Sequence, residues 1–278
     1  MTATSLLCPC GGPYDPPIVS EPGYRILRCR DCGLHATDPR EPSESYDHGY
    51  FERNYVDRDE HWRRSHAYWF RKVVAPLVHG ATRPRILDVG CGTGLFLSTV
   101  PARWERVGLE PAGTGCAIAR ERYGLDARPL LLEDFEPDGG FDVVTFWDVV
   151  EHLTDPIVTL RAAARHLRSS GHIVVKVPDI GPPARMAGRA LARARKGSVI
   201  FQASAHLYQF DRGSLASTLR SAGYRPLRVE SHLPPFGLRA FFAPGRLSGR
   251  AARLLLHVAG LTRTLVAVAQ LGEYPWPR

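Results

Sequence analysis

The chain has 278 residues, enough for one main domain with an appendage. Its composition, 44% hydrophobic and 23% charged, is ordinary for a globular protein. No stretch approaches the roughly 18 uninterrupted apolar residues of a spanning helix, and the first residues lack the charged start and apolar run of a signal peptide. We therefore expect a cytoplasmic protein without a transmembrane segment.

The formal net charge of +8 is unevenly distributed along the chain. Residues 181–278 carry 15 Lys and Arg against 3 Asp and Glu, a balance of +12, whereas the preceding residues balance at −4. The last third of the chain is therefore the main source of the positive electrostatic field that an anionic partner would meet.

Four of the six cysteines form two close pairs near the start of the chain. Cys8 and Cys10 make the first pair, Cys29 and Cys32 the second, and 18 residues separate the pairs. In a reducing compartment such pairs favour metal thiolates over disulfides, and four thiolates on two turns match a tetrahedral structural zinc site. We predict a zinc-binding module over residues 1–42 that depends on the metal for its fold. Free or redox-active thiols are the alternative.

Residues 43–80 are predicted to connect this module to the main domain. Their first part holds four aromatic residues, Tyr46, Tyr50, Phe51 and Tyr55. Apolar residues at spacings of three and four then predict a helix over residues 61–77. One role for the aromatic rings is to dock the module onto the core.

An apolar run followed by a glycine loop is the most informative stretch. Residues 86–89 predict a buried strand, and the apolar residues after the loop predict a helix. Three glycines let the loop turn tightly and lie close to a flat ligand, namely Gly90, Gly92 and Gly94. Asp88 precedes the loop, where it would repel a pyrophosphate but suits an ammonium group. Glu110 ends a short apolar segment 22 residues later and is placed to take two ribose hydroxyls. Glycines that serve only close packing are the alternative.

Strand and helix signals alternate through the rest of the core. Strands are predicted over residues 85–89, 106–110, 127–132, 141–146, 172–177 and 223–230. Helices are predicted from residue 94 and over residues 113–122, 156–168 and 214–222, the third being marked by Asp155 as N-cap and Pro156. This alternation predicts an α/β fold over residues 81–278, a doubly wound, mostly parallel, Rossmann-like sheet with a ligand crevice at the carboxyl ends of its strands.

The glycine loop resembles motif I of the class I S-adenosylmethionine-dependent methyltransferases. Residues 147–156 are similar to a segment of their ubiquinone-type (methyltransferase domain 23-like) branch, and the resemblance covers residues 8–230. It implies S-adenosyl-L-methionine as the cofactor. It assigns cofactor binding to Tyr50, Asp88, Gly90, Cys91, Gly92, Gly94, Glu110, Pro111, Leu132, Glu133, Trp147 and Asp148.

Some of these positions take particular parts of the cofactor in the family. Leu132 and Glu133 would hold the adenine, with Leu131 standing where the family often has an acid. Trp147 and Asp148 would line the methionine end. The aromatic residues around Tyr50 would close over the cofactor as a lid.

The resemblance also supplies candidates for proton transfer. His152 would face the transferred methyl group and accept the proton of the substrate, because a histidine pKa near neutrality suits a general base. His206 and Tyr208 lie in a segment that hangs over the substrate pocket in this branch, and they would form a second base or an orienting pair. Packing roles for all three residues stay open.

Two basic stripes are expected at the end of the chain. Residues 178–204 would form a substrate-cover insertion with arginines on one helical face, and residues 245–272 an amphipathic C-terminal helix. Such faces are either solvated or in peripheral contact with an anionic membrane. In this family a glycine–acid turn usually precedes the seventh strand, and here Gly272-Glu273 comes only five residues before the end of the sequence, so we expect that strand to be missing.

Together these observations predict a methyltransferase acting on an oxygen, carbon or nitrogen of a small acceptor. The basic last third favours an anionic or carrier-bound biosynthetic metabolite. RNA methylation is the first alternative, and it is disfavoured because the arginines alternate with alanine and leucine rather than with aromatic residues that stack on bases. A non-catalytic, cofactor-binding accessory protein is the second. The oligomeric state is not indicated.

Overall fold

The computed structural model of the chain describes residues 7–21, 23–39, 59–136, 139–192, 201–203, 205–233 and 263–272. Three predicted features lie wholly or partly outside these residues. They are the aromatic lid with Tyr50, the second half of the cover insertion, and the basic part of the C-terminal helix.

Eleven strands and five α-helices are found among the described residues. The strands are β1 (Val19–Glu21), β2 (Tyr24–Arg28), β3 (His35–Asp38), β4 (Arg85–Val89), β5 (Glu105–Leu109), β6 (Asp126–Arg128), β7 (Phe141–Trp147), β8 (Leu167–Asp179), β9 (Tyr208–Gln209), β10 (Tyr224–His232) and β11 (Arg263–Leu271). The helices are α1 (Asp59–Trp69), α2 (Gly113–Tyr123), α3 (Pro156–Ala164), α4 (Pro182–Ala192) and α5 (Arg212–Ser221).

The main domain is built on a seven-stranded sheet in the order β10-β11-β8-β7-β4-β5-β6. Strands β4 to β8 are parallel, and β11 lies antiparallel between β8 and β10. Successive residues of β4 enter different apolar layers, since Ile86 packs on one face of the sheet and Leu87 on the other. Burial on both faces explains the continuous apolar runs in the sequence. The predicted α/β fold with a mostly parallel sheet is confirmed.

The expectation of a missing seventh strand was wrong. Residues 263–271 form β11, so the helix predicted over residues 245–272 is wrong for its last part. The spacing of Leu265 and Val268 suggested one apolar face of an amphipathic helix, which would leave the residues between them exposed. Instead, the four consecutive residues from Val266 to Ala269 are all buried. Such burial on both sides is the pattern of a strand in the middle of a sheet.

Other elements also differ from their predicted bounds, and the strand expected over residues 127–132 ends already at Arg128. The helix expected from Gly94 is only a 3₁₀ turn, Leu97–Thr99, because the Ser98 and Thr99 hydroxyls donate to the carbonyls of Leu95 and Phe96 and compete with helical bonding. The helix expected to reach residue 168 ends at Ala164. Residues 168–171 bulge within β8, since Phe141 pairs with Leu167 and Val143 already with His172.

The helix expected over residues 61–77 also changes form along its length. After α1 it continues as a π-helical turn, Phe70–Val74, and a 3₁₀ turn, Ala75–Val78. Pro76 lacks the N–H that regular helical bonding needs, which explains the end of regular helix at this point.

A second, four-stranded sheet joins the cysteine-bearing module to the main domain. Strands β1, β2 and β3 belong to the module, and β9 comes from the main domain and pairs antiparallel with β3. Thr37 strengthens this junction, because its hydroxyl donates to the carbonyl of His206 at 2.7 Å and accepts from the Gln209 side-chain amide at 2.8 Å. The module therefore packs directly against the segment that carries His206.

Candidate functional site at the carboxyl ends of the strands

The glycine loop follows β4 and is held tightly against its neighbours. Gly90 and Gly94 have φ angles of +69° and +77°. A Cβ atom would lie 2.6 Å from a Val149 methyl group at position 90 and 2.6 Å from a Leu125 methyl group at position 94. Only glycine satisfies both the backbone conformation and the close approach. The predicted strand–loop geometry is therefore present, with a short 3₁₀ turn in place of the predicted helix.

Asp88 is buried at the end of β4, next to the loop. The Thr145 hydroxyl donates to its Oδ1 atom at 2.6 Å. Burial raises the pKa of Asp88 to about 8, outweighing the Thr145 hydrogen bond, and the charge of Glu110 adds to the increase. A cationic group placed here would favour the ionised carboxylate. Thr145 is a site residue that the sequence analysis missed, since a threonine inside an apolar strand carries no motif.

Glu110 follows β5 and closes over the glycine loop. Its two carboxylate oxygens accept from the backbone N–H groups of Gly92 and Ala112, each at 3.0 Å. Burial raises the pKa of Glu110, and the two backbone hydrogen bonds only partly offset this. The structure thus brings both predicted acids to one edge of the sheet, with the loop between them.

The remaining cofactor-binding candidates surround this pair. Cys91 is buried against Gly108, where a Cβ atom would lie 2.6 Å from its sulfur, and burial raises the pKa of its thiol well above the ordinary value. Leu132 is buried in a 3₁₀ turn. Glu133 is exposed and accepts from the Thr159 hydroxyl of α3 at 3.1 Å. Pro111 is exposed directly after Glu110. Contacts of these residues with a cofactor stay predictions.

Trp147 and Asp148 end β7 beside the loop. The Trp147 ring packs against Phe96 at 4.7 Å and against His66 of α1 at 6.2 Å, both between ring centroids. Asp148 has a φ of 55°, an uncommon conformation for a residue other than glycine. Lys176 of β8 donates to its carboxylate at 2.6 Å. Lys176 and His66 are further neighbours of the site that no motif indicated.

His152 and His206 meet above the ends of β7 and β8. Their ring centroids lie 4.8 Å apart with the planes at 79°. The Nδ1 atom of His152 lies 2.8 Å from the carbonyl oxygen of Ala205. Because a carbonyl only accepts, Nδ1 carries the proton and the neutral ring has its lone pair on Nε2. Burial, followed by the nearby His152, lowers the pKa of His206 to about 4, so that this ring is neutral at pH 7.

Glu151 completes a three-residue cluster with these histidines. Their ligand atoms all lie within 4.8 Å of one another, and this donor set has the composition of a metal site. Neither carboxyl oxygen of Glu151 has a hydrogen-bond partner among the described residues, and burial raises its pKa well above the ordinary value. Burial therefore favours the neutral form of Glu151, and a bound cation would favour the carboxylate.

Tyr208 is brought to the same region but is fully buried in β9. Its hydroxyl donates to the carbonyl of Thr154 at 3.1 Å, which ties β9 to the loop after β7. This hydrogen bond is structural, and a catalytic role for Tyr208 stays a prediction.

The four cysteines of the N-terminal module converge. The sulfur atoms of Cys8 and Cys32 are 3.5 Å apart, those of Cys10 and Cys29 are 3.6 Å apart, and all four lie within 4.8 Å of one another. Sulfur ligands about 2.3 Å from a tetrahedral zinc ion would be about 3.8 Å apart, so the cluster fits such an ion. The turn is also close-packed, because a Cβ atom at Gly12 would lie 3.0 Å from the sulfur of Cys29.

The site defines a class of protein. A glycine loop between two acids at the carboxyl ends of adjacent parallel strands is the cofactor site of nucleotide-binding α/β proteins, and the buried Asp88 separates it from a phosphate-binding loop. A protein family described as "methyltransferase domain" matches residues 59–229, which is more than half of the chain. The chain belongs to this family, and it is a class I S-adenosylmethionine-dependent methyltransferase.

Curated relatives share part of this domain. The ubiquinone biosynthesis O-methyltransferase of Rhodopseudomonas palustris (strain TIE-1) is 32% identical over 97 residues, which cover 33% of this chain and 38% of the relative. The enzyme of the same name from Pseudomonas aeruginosa (strain UCBPP-PA14) is 29% identical over 113 residues, covering 38% of this chain and 49% of the relative. The chain thus matches less than half the length of either relative.

Solved structures show the same fold. The geranyl diphosphate C-methyltransferase from Streptomyces coelicolor A3(2), solved with Mg²⁺, geranyl diphosphate and S-adenosyl-L-homocysteine, superposes with a TM-score of 0.55 at 14% identity, covering 83% of this chain and 89% of that one. An S-adenosylmethionine-dependent methyltransferase from Clostridium acetobutylicum ATCC 824 superposes with a TM-score of 0.51 at 10% identity, covering 81% of this chain and 97% of that one.

Within the described residues, none of the helices is long and apolar enough to cross a membrane.

Substituting Asp88→Asn should change how stability depends on pH. The folded pKa of about 8 exceeds the ordinary value of 3.8, so the folded protein keeps a proton that the unfolded chain releases between these values. This carboxyl therefore lowers the free energy of unfolding as the pH rises from about 4 to about 8. Relative to wild type, the variant should gain stability across that range and level off above it.

Urea unfolding at several pH values measures the difference in free energy of unfolding between variant and wild type. The contributions of the histidines and of Glu151 cancel in this difference, because both proteins contain these residues. The exposed Asp134→Asn serves as the matched control and should give a flat difference. A flat difference for Asp88→Asn as well would contradict the assigned burial and pKa.

Proposed function

We propose that the protein transfers the methyl group of S-adenosylmethionine to an oxygen, carbon or nitrogen of a small anionic or carrier-linked biosynthetic metabolite, with His152 as general base. The observation that carries the proposal is that the His152 and His206 rings meet above the ends of β7 and β8, and β7 pairs directly with β4, whose end holds Asp88. The curated relatives are named for O-methylation in ubiquinone biosynthesis, which supports a small-molecule acceptor.

The residues around the glycine loop fit the cofactor. Asp88 is a buried carboxyl that a cofactor ammonium group would neutralise, and Glu110 offers carboxylate oxygens to ribose hydroxyls. Trp147 and Asp148 would bound the methionine end, and Leu132 and Glu133 the adenine. Bound S-adenosylmethionine supplies an activated methyl group on a sulfonium sulfur.

The protein's own contribution is alignment and proton removal. Positioning the acceptor converts a bimolecular step into a unimolecular one. His152 accepts the proton that the acceptor atom releases as it is methylated, using the Nε2 lone pair, while the Ala205 carbonyl fixes the tautomer through Nδ1. His206 packs edge-on against this ring and is a second candidate for the base.

Methyl transfer can be tested with radiolabelled S-adenosylmethionine, a small-molecule extract and, in parallel, total RNA. We expect label in the small-molecule fraction. We also expect His152→Gln to lower the rate about 10²–10⁴-fold because the proton acceptor is lost. The exposed His79→Gln is the matched control and should leave the rate unchanged.

Other outcomes would overturn the proposal in distinct ways. Label only in RNA, falling steeply with salt, would favour the RNA methyltransferase alternative. Cofactor binding without transfer to either fraction would favour a non-catalytic accessory protein. An unchanged rate in His152→Gln together with a large loss in His206→Gln would move the base to His206.

We further propose that Cys8, Cys10, Cys29 and Cys32 bind one structural zinc ion, on the basis of the converging sulfur atoms. Elemental analysis should find about one zinc per chain. The double substitution Cys29→Ser and Cys32→Ser should remove the metal and the order of the module, because so short a segment depends on the ion for its fold. The buried Cys116→Ser should keep the zinc, and metal retained by the double variant would refute the assignment.

A further inference from the structure

A groove of about 670 Å³ separates the cysteine-bearing module from the main domain. Arg28 and residues 30–33 of the second cysteine turn form one side. The starts of α4 and α5, the end of β8 and the start of β11 form the other. None of the described residues assigned to cofactor binding lines this groove, so the groove is distinct from the cofactor site.

Arginine dominates the lining of the groove. The five arginines are Arg28, Arg30, Arg185, Arg212 and Arg263. Three of them are held by protein groups: Arg30 donates to Asp15 at 2.7 Å, Arg185 to Asp211 at 2.6 Å, and Arg263 to the Ser231 hydroxyl at 2.7 Å. Within the part of the chain that the structure describes, the guanidinium groups of Arg28 and Arg212 have neither a hydrogen-bond nor an ion-pair partner.

Three aspartates also line the groove, but two of them are already engaged. Asp211 accepts from Arg185 and from the backbone N–H of Ser214 at 2.8 Å. Asp179 accepts from the backbone N–H of Gly181 at 2.8 Å and from the Ser231 hydroxyl. With Asp31 as the third acid, the lining keeps an excess of two positive charges, and the guanidinium groups of Arg28 and Arg212 stay available to a ligand.

The size and charge of the groove select a class of ligand. Guanidinium groups match the geometry of phosphate oxygens, and converging arginines favour an anion with several charges. The volume lies within the roughly 300–1,000 Å³ of small-molecule sites. A nucleic acid would instead need an extended basic surface of roughly 1,000–2,500 Å². We infer that this groove binds the phosphate group of a small molecule.

The position of the groove relates it to the proposed reaction. Asp179, at the groove, lies three residues beyond Lys176 on β8, and Lys176 holds Asp148 at the cofactor site. At about 3.3 Å per residue the two places are about 10 Å apart along the strand. His206 likewise lies five residues before Asp211. This part of the inference rests on the proposed function. The ligand is the methyl acceptor itself, with its phosphate in the groove and its reacting atom near His152.

Calorimetric titration with inorganic pyrophosphate tests the inference. Three proteins are compared: wild type, a double variant that combines Arg28→Gln with Arg212→Gln, and the control variant Arg103→Gln. Arg103 is an exposed arginine just before β5, at the amino ends of the parallel strands, whereas the groove lies at the carboxyl end of β8. We expect wild type and control to bind pyrophosphate, and the double variant to bind at least about 10-fold more weakly because two charged contacts are lost. All three proteins should bind S-adenosyl-L-homocysteine equally.

Each other result has a distinct meaning. Wild type that ignores pyrophosphate while binding S-adenosyl-L-homocysteine, or equal pyrophosphate affinity in the double variant, would overturn the groove site alone. Pyrophosphate binding without S-adenosyl-L-homocysteine binding would leave the groove site standing. It would instead refute the proposed function and, with it, the identification of the groove's ligand as the methyl acceptor. Malonate binding as tightly as pyrophosphate would overturn the phosphate class. A short oligoribonucleotide that binds far more tightly than pyrophosphate, and fails to bind the double variant, would replace the small molecule by RNA.

Discussion

Two carboxyl groups buried at the ends of neighbouring strands are the constraint on which the rest of the site depends. The parallel pairing of β4 and β5 sets Asp88 and Glu110 at one edge of the sheet, and the loop is tied to β5 through the Gly90 N–H, which donates to the Leu109 carbonyl at 2.7 Å. Burying two acids together is unfavourable unless one of them is neutralised. A ligand that brings both a cation and hydroxyl donors resolves this cost, which is why the arrangement favours a nucleoside that carries an ammonium group, such as S-adenosylmethionine, over a dinucleotide.

The cysteine-bearing module is structurally coupled to this site although its four cysteines lie apart from it. Strand β9 pairs with β3 of the module, the backbone N–H of Leu207 donates to the carbonyl of Glu151 at 2.9 Å, and Thr37 binds the carbonyl of His206. The position of the histidine pair therefore depends on the module's sheet. On this account a zinc ion would act on catalysis indirectly, by ordering a sheet that supports His206 and one wall of the arginine-lined groove.

Local patterns in the sequence were sufficient for the parallel core and the cofactor-site acids. Alternation of strands and helices, the glycine spacing and the cysteine pairs each act over a few residues, and they predicted β4, β5, β7 and the four converging sulfurs. Long-range pairing was beyond such patterns. Strand β11 reaches its place between β8 and β10 from the end of the chain, and its apolar residues also fit a helical face over a shorter window. The Thr145 contact to Asp88 and the groove join residues far apart in sequence, and neither leaves a local signal.

Calorimetric titration with S-adenosyl-L-homocysteine, the product form of the cofactor, tests the central claim most directly. Wild type should bind one molecule per chain, and Glu110→Gln should weaken binding about 10-fold or more, as expected for loss of a charged hydrogen-bond acceptor. Glu105→Gln, at the opposite end of the same strand and paired with Arg85, should leave the affinity unchanged. Absence of binding in wild type, or equal affinity in wild type and Glu110→Gln, would contradict the account.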